Sequence, residues 1–176
     1  MAGRIYTDEN GFYNFDFNAS LNATNSLNRI FNRSVASLLS DVDFVVELEE
    51  AMLLVEYKNA NIPGAARPEA FKPSEDRHID KIARKFYDSL IFVWACGYNK
   101  PLKYIYILEY PLGDSVTRKI IRNKIKSKLP FELQKCREVK RQMIYSFEVV
   151  SLDEWNDDSM YSKFPIRPVE PMKDDG

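Results

Sequence analysis

The stretch from Asp41 to Lys58, DVDFVVELEEAMLLVEYK, constrains this chain most, because two apolar runs of strand length meet there at an acidic turn. A turn at Glu49 and Glu50 sets Asp43 opposite Glu56 and Asp41 opposite Lys58 in an antiparallel pair. Directly opposed side chains share a face, with Cβ atoms about 4.5–5.5 Å apart. Two carboxylates and an ammonium thereby gather at the open end of a hairpin. One face reads Val42, Phe44, Val46, Leu48, Ala51, Leu53, Val55 and Tyr57, and the other Asp41, Asp43, Val45, Leu54, Glu56 and Lys58. A pair that is apolar on one face and half apolar on the other requires cover on both sides. Its charged end then stands where a buried sheet opens to solvent.

The flanking segments supply that cover. Residues 4–17 place aromatics around a turn-like TDENG and predict a small hairpin or ordered arm. From Ser20 to about Leu39, Leu27, Ile30, Phe31, Val35, Leu38 and Leu39 recur at helical spacing, with Ser20 as N-cap. Residues 59–74 hold three prolines and a glycine and predict a long loop leaving the charged end, a common setting for binding residues. Arg67 and Lys72 on it are candidates to meet phosphates. A helix follows over about Glu75–Cys96, with Ser74 as N-cap and Gly97 at its end. It leans Lys81 and Lys85 across the site. Residues 102–110 predict a strand. The next helix, opened by Asp114 or Ser115, turns Val116, Ile120, Ile121, Ile125 and Leu129 inward and Arg118, Lys119, Arg122 and Lys126 outward. Residues 141–152 predict a last strand. The acidic, proline-punctuated stretch 156–176 reads as an extended or disordered tail to a single domain over 1–155.

Composition narrows the function classes. The 176 residues, 45% of them apolar, suffice for one domain with a real core. Two cysteines without a CxxC and one histidine cannot build a Cys/His zinc site, which predicts reduced thiols and an intracellular, cytoplasmic protein. The N-terminus lacks the apolar core of a signal peptide and no run reaches membrane-spanning length, so no membrane partner is expected. Net charge is −1, yet Arg118 to Arg141 carries ten Lys or Arg against Glu132 and Glu138. That asymmetry marks either a nucleic-acid face or the solvated side of one helix.

Carboxylate oxygens suit a hard cation such as Mg²⁺, which binds through one or two carboxylates plus waters and substrate phosphates. Asp43 and Glu56 meet that minimum. Such an ion lowers the pKa of bound water and polarises a phosphoryl oxygen, while Lys58 can orient the water or stabilise charge on the phosphate. Equally, Asp41 and Lys58 can form an exposed cross-strand ion pair worth well under about 1 kcal/mol.

Asp43, twelve intervening positions, then Glu56, Tyr57 and Lys58 resemble the signature of the PD-(D/E)xK nuclease superfamily. The hairpin spacing is similar to that of archaeal Holliday junction resolvases, and the likeness covers about residues 20–152. It implies a restriction-endonuclease-like α/β fold, a mixed central sheet flanked by helices with an αβββαβ-type core. It further implies a hydrolase acting on phosphodiester bonds, in DNA ahead of RNA, with Mg²⁺ as cofactor and Mn²⁺ as substitute. Asp43, Glu56 and the backbone carbonyl of Tyr57 would ligate the metal, Asp41 would rank as an extra ligand, and Lys58 would be the catalytic lysine. Arg67, Lys72, Lys81, Lys85, Arg118, Lys119, Arg122 and Lys126 would hold the nucleic acid, and relatives of this kind often act as homodimers. Val42 stands where many relatives carry a proline, and no separate strand is legible between the first helix and Asp41. The alternative is a non-catalytic module of the same fold that binds nucleic acid or protein.

Overall fold

The computed structural model describes residues 3–33, 38–64 and 68–170. Its elements in chain order are β1 (Ile5–Thr7), β2 (Tyr13–Asp16), β3 (Asn22–Thr24), α1 (Leu27–Arg33), β4 (Phe44–Glu47) and β5 (Met52–Asn59). After a loop with one 3-10 turn at Pro68–Ala70 come α2 (Asp76–Ala95), β6 (Leu102–Glu109), α3 (Ser115–Lys126), β7 (Ser146–Val150), α4 (Leu152–Asp157) and β8 (Ile166–Pro168).

The molecule is α/β. Five strands form a mixed sheet in the order β3-β4-β5-β6-β7, antiparallel from β3 to β5 and parallel from β5 to β7. The hairpin turns at Glu49 and Glu50, and its ladder pairs Phe44 with Val55 and Val45 with Leu54. Parallel neighbours need a long crossover. Here α2 and α3 supply those crossovers, and both pack on the sheet face bearing Val45, Leu54, Tyr104 and Tyr106. Buried Ile79, Ile82, Ala83, Phe86, Leu90 and Val93 make the inner stripe of α2. Gly97, at φ 83°, ends that helix: Tyr98 N–H bonds to Val93 O and Gly97 N–H to Trp94 O, satisfying its last carbonyls.

The opposite face carries Phe44, Val46, Leu53, Val55, Ile105 and Ile107 and is closed by a second sheet, β1-β2-β8, together with α4. This layer is built from aromatic rings. Phe15 lies 4.6 Å from Phe44, and Trp155 stacks on Tyr161 at 4.6 Å while its indole N–H donates to Phe164 O.

Three sequence expectations need correction. The helix expected from Ser20 begins only at Leu27, because asparagine and serine favour local side-chain bonds over helix; Asn22–Thr24 instead pairs with β4 as the edge strand, and Val35 lies outside the described residues. The third antiparallel strand therefore precedes the helix, giving a β-α-β-β-α-β-α-β order rather than a helix followed by three strands. Second, residues 156–170 are no loose tail: Tyr161, Phe164 and Ile166 are buried and β8 pairs with β2. Removing those apolar groups from water outweighs the acidic, proline-rich character that hides them; residues 171–176 lie outside the described residues. Third, α3 buries Ile121 and Ile125 as expected, but Val116 and Ile120 are exposed and Arg118, expected outward, is buried.

The two cysteines are free and exposed. Among the described residues no helix is long and apolar enough to cross a membrane.

Candidate functional site

Where β4 begins and β5 ends, the sheet edge, α2, the start of α1 and the β1–β2 loop enclose a cleft of about 390 Å³. Its position follows from the hairpin. Glu56 shares the face of Leu54, so its side chain enters the layer between sheet and α2, and it is 5% exposed. Asp43 sits one residue before β4, where the chain bends toward α2. Two buried polar groups of α2 fix that bend: Asp88 accepts from Ser40 N–H and Ser89 Oγ from Val42 N–H. Val42 is thus pulled into the helical side of the core, away from the Phe44–Val46 face expected for it. Asp43 Oδ2 accepts from Tyr57 N–H at 2.7 Å, which locks its carboxylate beside Glu56.

Lys85 completes the pair. One turn after Lys81 on α2, it places Nζ 2.7 and 2.8 Å from the two Glu56 oxygens and 4.0 Å from Asp43 Oδ1. The sequence marked Lys85 for nucleic acid; the structure makes it the cation on which both carboxylates converge. Its only sequence signal was a spacing of four from Lys81 on the helix after the hairpin loop.

The electrostatics follow from burial. Desolvation first, and the nearby Asp43 second, push the Glu56 carboxyl up to about 8 against the opposing pull of Lys85. Burial likewise raises Asp43, with Lys85 and the Tyr57 N–H acting against it. For Lys85, burial favours the neutral amine, but Glu56 and Asp43 outweigh it and the net shift is upward. Two crowded, partly dehydrated carboxylates form a site that gains from positive charge.

The remaining sequence candidates divide. Lys58 is exposed on the cleft wall with its ammonium 5.9 Å from the centroid of Phe71. Asp41 lines the cleft, but the ladder ends at Phe44, so it meets Asn28 of α1 at 3.3 Å rather than Lys58. Lys81 lines it too and lowers the pKa of Glu56. Lys72 is exposed on the loop, and Arg67 lies outside the described residues.

The four α3 residues expected to hold nucleic acid, Arg118, Lys119, Arg122 and Lys126, do not line the cleft. Arg118 corrects the expectation most sharply, since it is 8% exposed and holds Glu154 of α4 in a two-pronged pair at 2.8 and 3.0 Å. Arg122 is half-buried, Lys126 lies 4.9 Å over the Phe131 ring, and Lys119 is exposed.

Sequence reasoning missed Asp8, Glu9, Asn10, Asn25 and Asn28, which also line the cleft. They come from the β1–β2 loop, the β3–α1 link and α1, and nothing local ties them to the hairpin. Among the described residues, five carboxylates (Asp8, Glu9, Asp41, Asp43, Glu56) face three lysines (Lys58, Lys81, Lys85).

Among the described residues no group of three or more His, Cys, Asp or Glu is disposed to hold a metal ion. The protein offers Asp43 and Glu56, already gathered about one cation, and that donor set fits Mg²⁺ at its minimum, with water and phosphate oxygens completing the shell. Compared with known proteins, the chain matches no family model, no curated protein and no solved structure.

Proposed function

We propose that this chain is a metal-dependent nuclease with a restriction-endonuclease-like fold, hydrolysing phosphodiester bonds in DNA ahead of RNA. The observation that carries the reading is the convergence of Asp43 and Glu56 on a single cation in an open cleft, with Lys58 on its wall. The antiparallel β4-β5 hairpin, the parallel β5-β6 step and the helix laid across the pair support the fold.

Asp43 and Glu56 would hold Mg²⁺, which supplies Lewis acidity and an acidified water. The chain's own groups do the rest. Tyr57 N–H fixes the Asp43 carboxylate, and Asp88 and Ser89 fix the segment that carries it. Lys85 holds both oxygens of Glu56; with an ion at Asp43 and Glu56, its ammonium would be free to meet a phosphate. Lys58 stabilises the charge that grows on that phosphate. Because carboxylates exceed lysines in the cleft, a polyanion enters favourably only when the divalent ion is present, so nucleic-acid binding is metal-dependent.

Purified protein incubated with labelled linear, branched and single-stranded DNA and RNA, in Mg²⁺, Mn²⁺ or chelator, tests the reading. Cleavage must vanish with chelator and in Glu56→Gln and Lys58→Ala. Cleavage unchanged in either variant assigns the activity elsewhere.

One observation favours a second reading. Lys85 satisfies both oxygens of Glu56, as a self-contained structural pair would. A non-catalytic binding module would show no cleavage and no shift of Tm with Mn²⁺.

A further inference from the structure

Lys58 stands between two unlike spaces. On one side is the carboxylate cleft; on the other is a recess of about 440 Å³ walled by Phe12, Ile62, Pro63, Pro68 and Phe71. The recess opens from the cleft through Lys58, Asn59 and Asn10, which line both. Among the described residues Lys58 is the single charged one lining it, in contrast to the five carboxylates next door. Its floor is tied to the fold: Asn59 bonds to Asn61 N–H and to Tyr57 Oη, and Phe71 meets His78 at 5.2 Å and Tyr110 at 6.2 Å edge-on. Aromatic and proline walls with one ammonium at the mouth match a planar ring that carries a phosphate.

We propose that this recess takes the base of an unpaired nucleotide adjoining the phosphate held at Asp43, Glu56 and Lys58. The assignment rests on the nuclease reading and names its substrate class: a single strand, a flap or an extrahelical base. A paired base cannot enter, because its ring is already covered on both faces and tied to its complement. An unpaired base exposes both, gains by stacking on Phe71 or Phe12, and is read through its π-face with little regard to sequence. Asn10, exposed at the mouth, meets the base edge. The phosphate and the base would thus be held on the two sides of one lysine.

Fluorescence anisotropy with end-labelled oligonucleotides of one sequence, as single strand, blunt duplex and flapped duplex, tests this in Ca²⁺. The protein binds the single strand and the flap about tenfold or more tightly than the blunt duplex, and Phe71→Leu lowers single-strand affinity by about 5- to 100-fold, the range of one base–aromatic stack. Leucine keeps the bulk against Tyr110, and Phe12→Leu on another wall repeats the test without touching that packing; Tm confirms folding. Equal affinity for single strand and duplex, or variants that weaken both alike, overturns the proposal. Cleavage of the same oligonucleotides in Mg²⁺ is read separately. Cleavage without strand preference overturns the recess alone; strand preference that Phe71→Leu removes, without any cleavage, keeps the recess and overturns the nuclease. Absence of binding overturns both.

Discussion

Two glutamate–lysine pairs close the two ends of one hairpin, and they differ in what surrounds them. At the turn end, Glu47 meets Lys100 at 2.8 Å with 21% and 27% of the side chains exposed, and Lys100 also donates to Leu48 O, tying the turn to the segment before β6. At the open end, Glu56 meets Lys85 at 2.7 Å with 7% and 14% exposed, and a second carboxylate, Asp43, stands 4.0 Å from the same ammonium. The first pair has one charge of each sign and water at hand. The second has an excess carboxylate and little water, so it stores an unmet demand for positive charge. Geometry alone makes the pairs look alike; burial and the extra carboxylate set them apart.

The largest expected contrast is in activity. Asp43→Asn and Glu56→Gln each lower cleavage by about 10²–10³-fold or more, whereas Glu47→Gln leaves the rate unchanged. A Glu47 variant as inactive as the Glu56 variant would erase the distinction between the two ends.

Stability gives the next contrast. Lys85→Met strands the buried Glu56 beside the half-buried Asp43 and costs about 3 kcal/mol in urea unfolding; Lys100→Met costs under about 1 kcal/mol. Mg²⁺ should restore more stability to Lys85→Met than to the parent, because the ion takes the place of the missing ammonium.

The third contrast is in pH. The folded-state pKa of Glu56, about 8, lies above its ordinary value of 4.5, so the folded chain keeps a proton that the unfolded chain loses across that window. Glu56 therefore lowers stability as pH rises from about 4.5 to 8, and the effect levels off above 8. Metal binding needs the carboxylate and so displaces that proton. Apparent Mg²⁺ affinity rises about tenfold per pH unit below 8 and flattens above it, and Glu56→Gln removes both slopes.

How much of this was legible follows from where each signal lay. The hairpin register could be read because the acidic turn at Glu49 and Glu50 separates two apolar runs and so sets the pairing, and α2 because its stripe and Gly97 are local. The edge strand β3 could not, since Asn22–Thr24 has no apolar period and pairs only because β4 offers a free edge. Tyr161, Phe164 and Ile166 looked like tail because their partners, Trp155 and the aromatic face, are assembled from both ends of the chain. Of the site, Asp43 and Glu56 were legible as neighbours in a register. Lys85 meets Glu56 across 29 residues and Arg118 meets Glu154 across 36, distances at which side-chain direction, not spacing, decides.

The smallest effects separate the basic residues. Lys81→Ala lowers the slope of log affinity for DNA against log salt by about one, as loss of one phosphate contact does. Arg118→Ala lowers Tm through the lost Glu154 pair and leaves that slope unchanged. A slope change in Arg118→Ala instead would place the nucleic acid on α3.

Isothermal titration of Mn²⁺ and Mg²⁺ into the protein above pH 8 tests the central claim most directly. The account predicts saturable binding that is lost in Asp43→Asn and Glu56→Gln and retained in Glu47→Gln. Binding of equal affinity in all four proteins, or no binding to the parent chain, would contradict it.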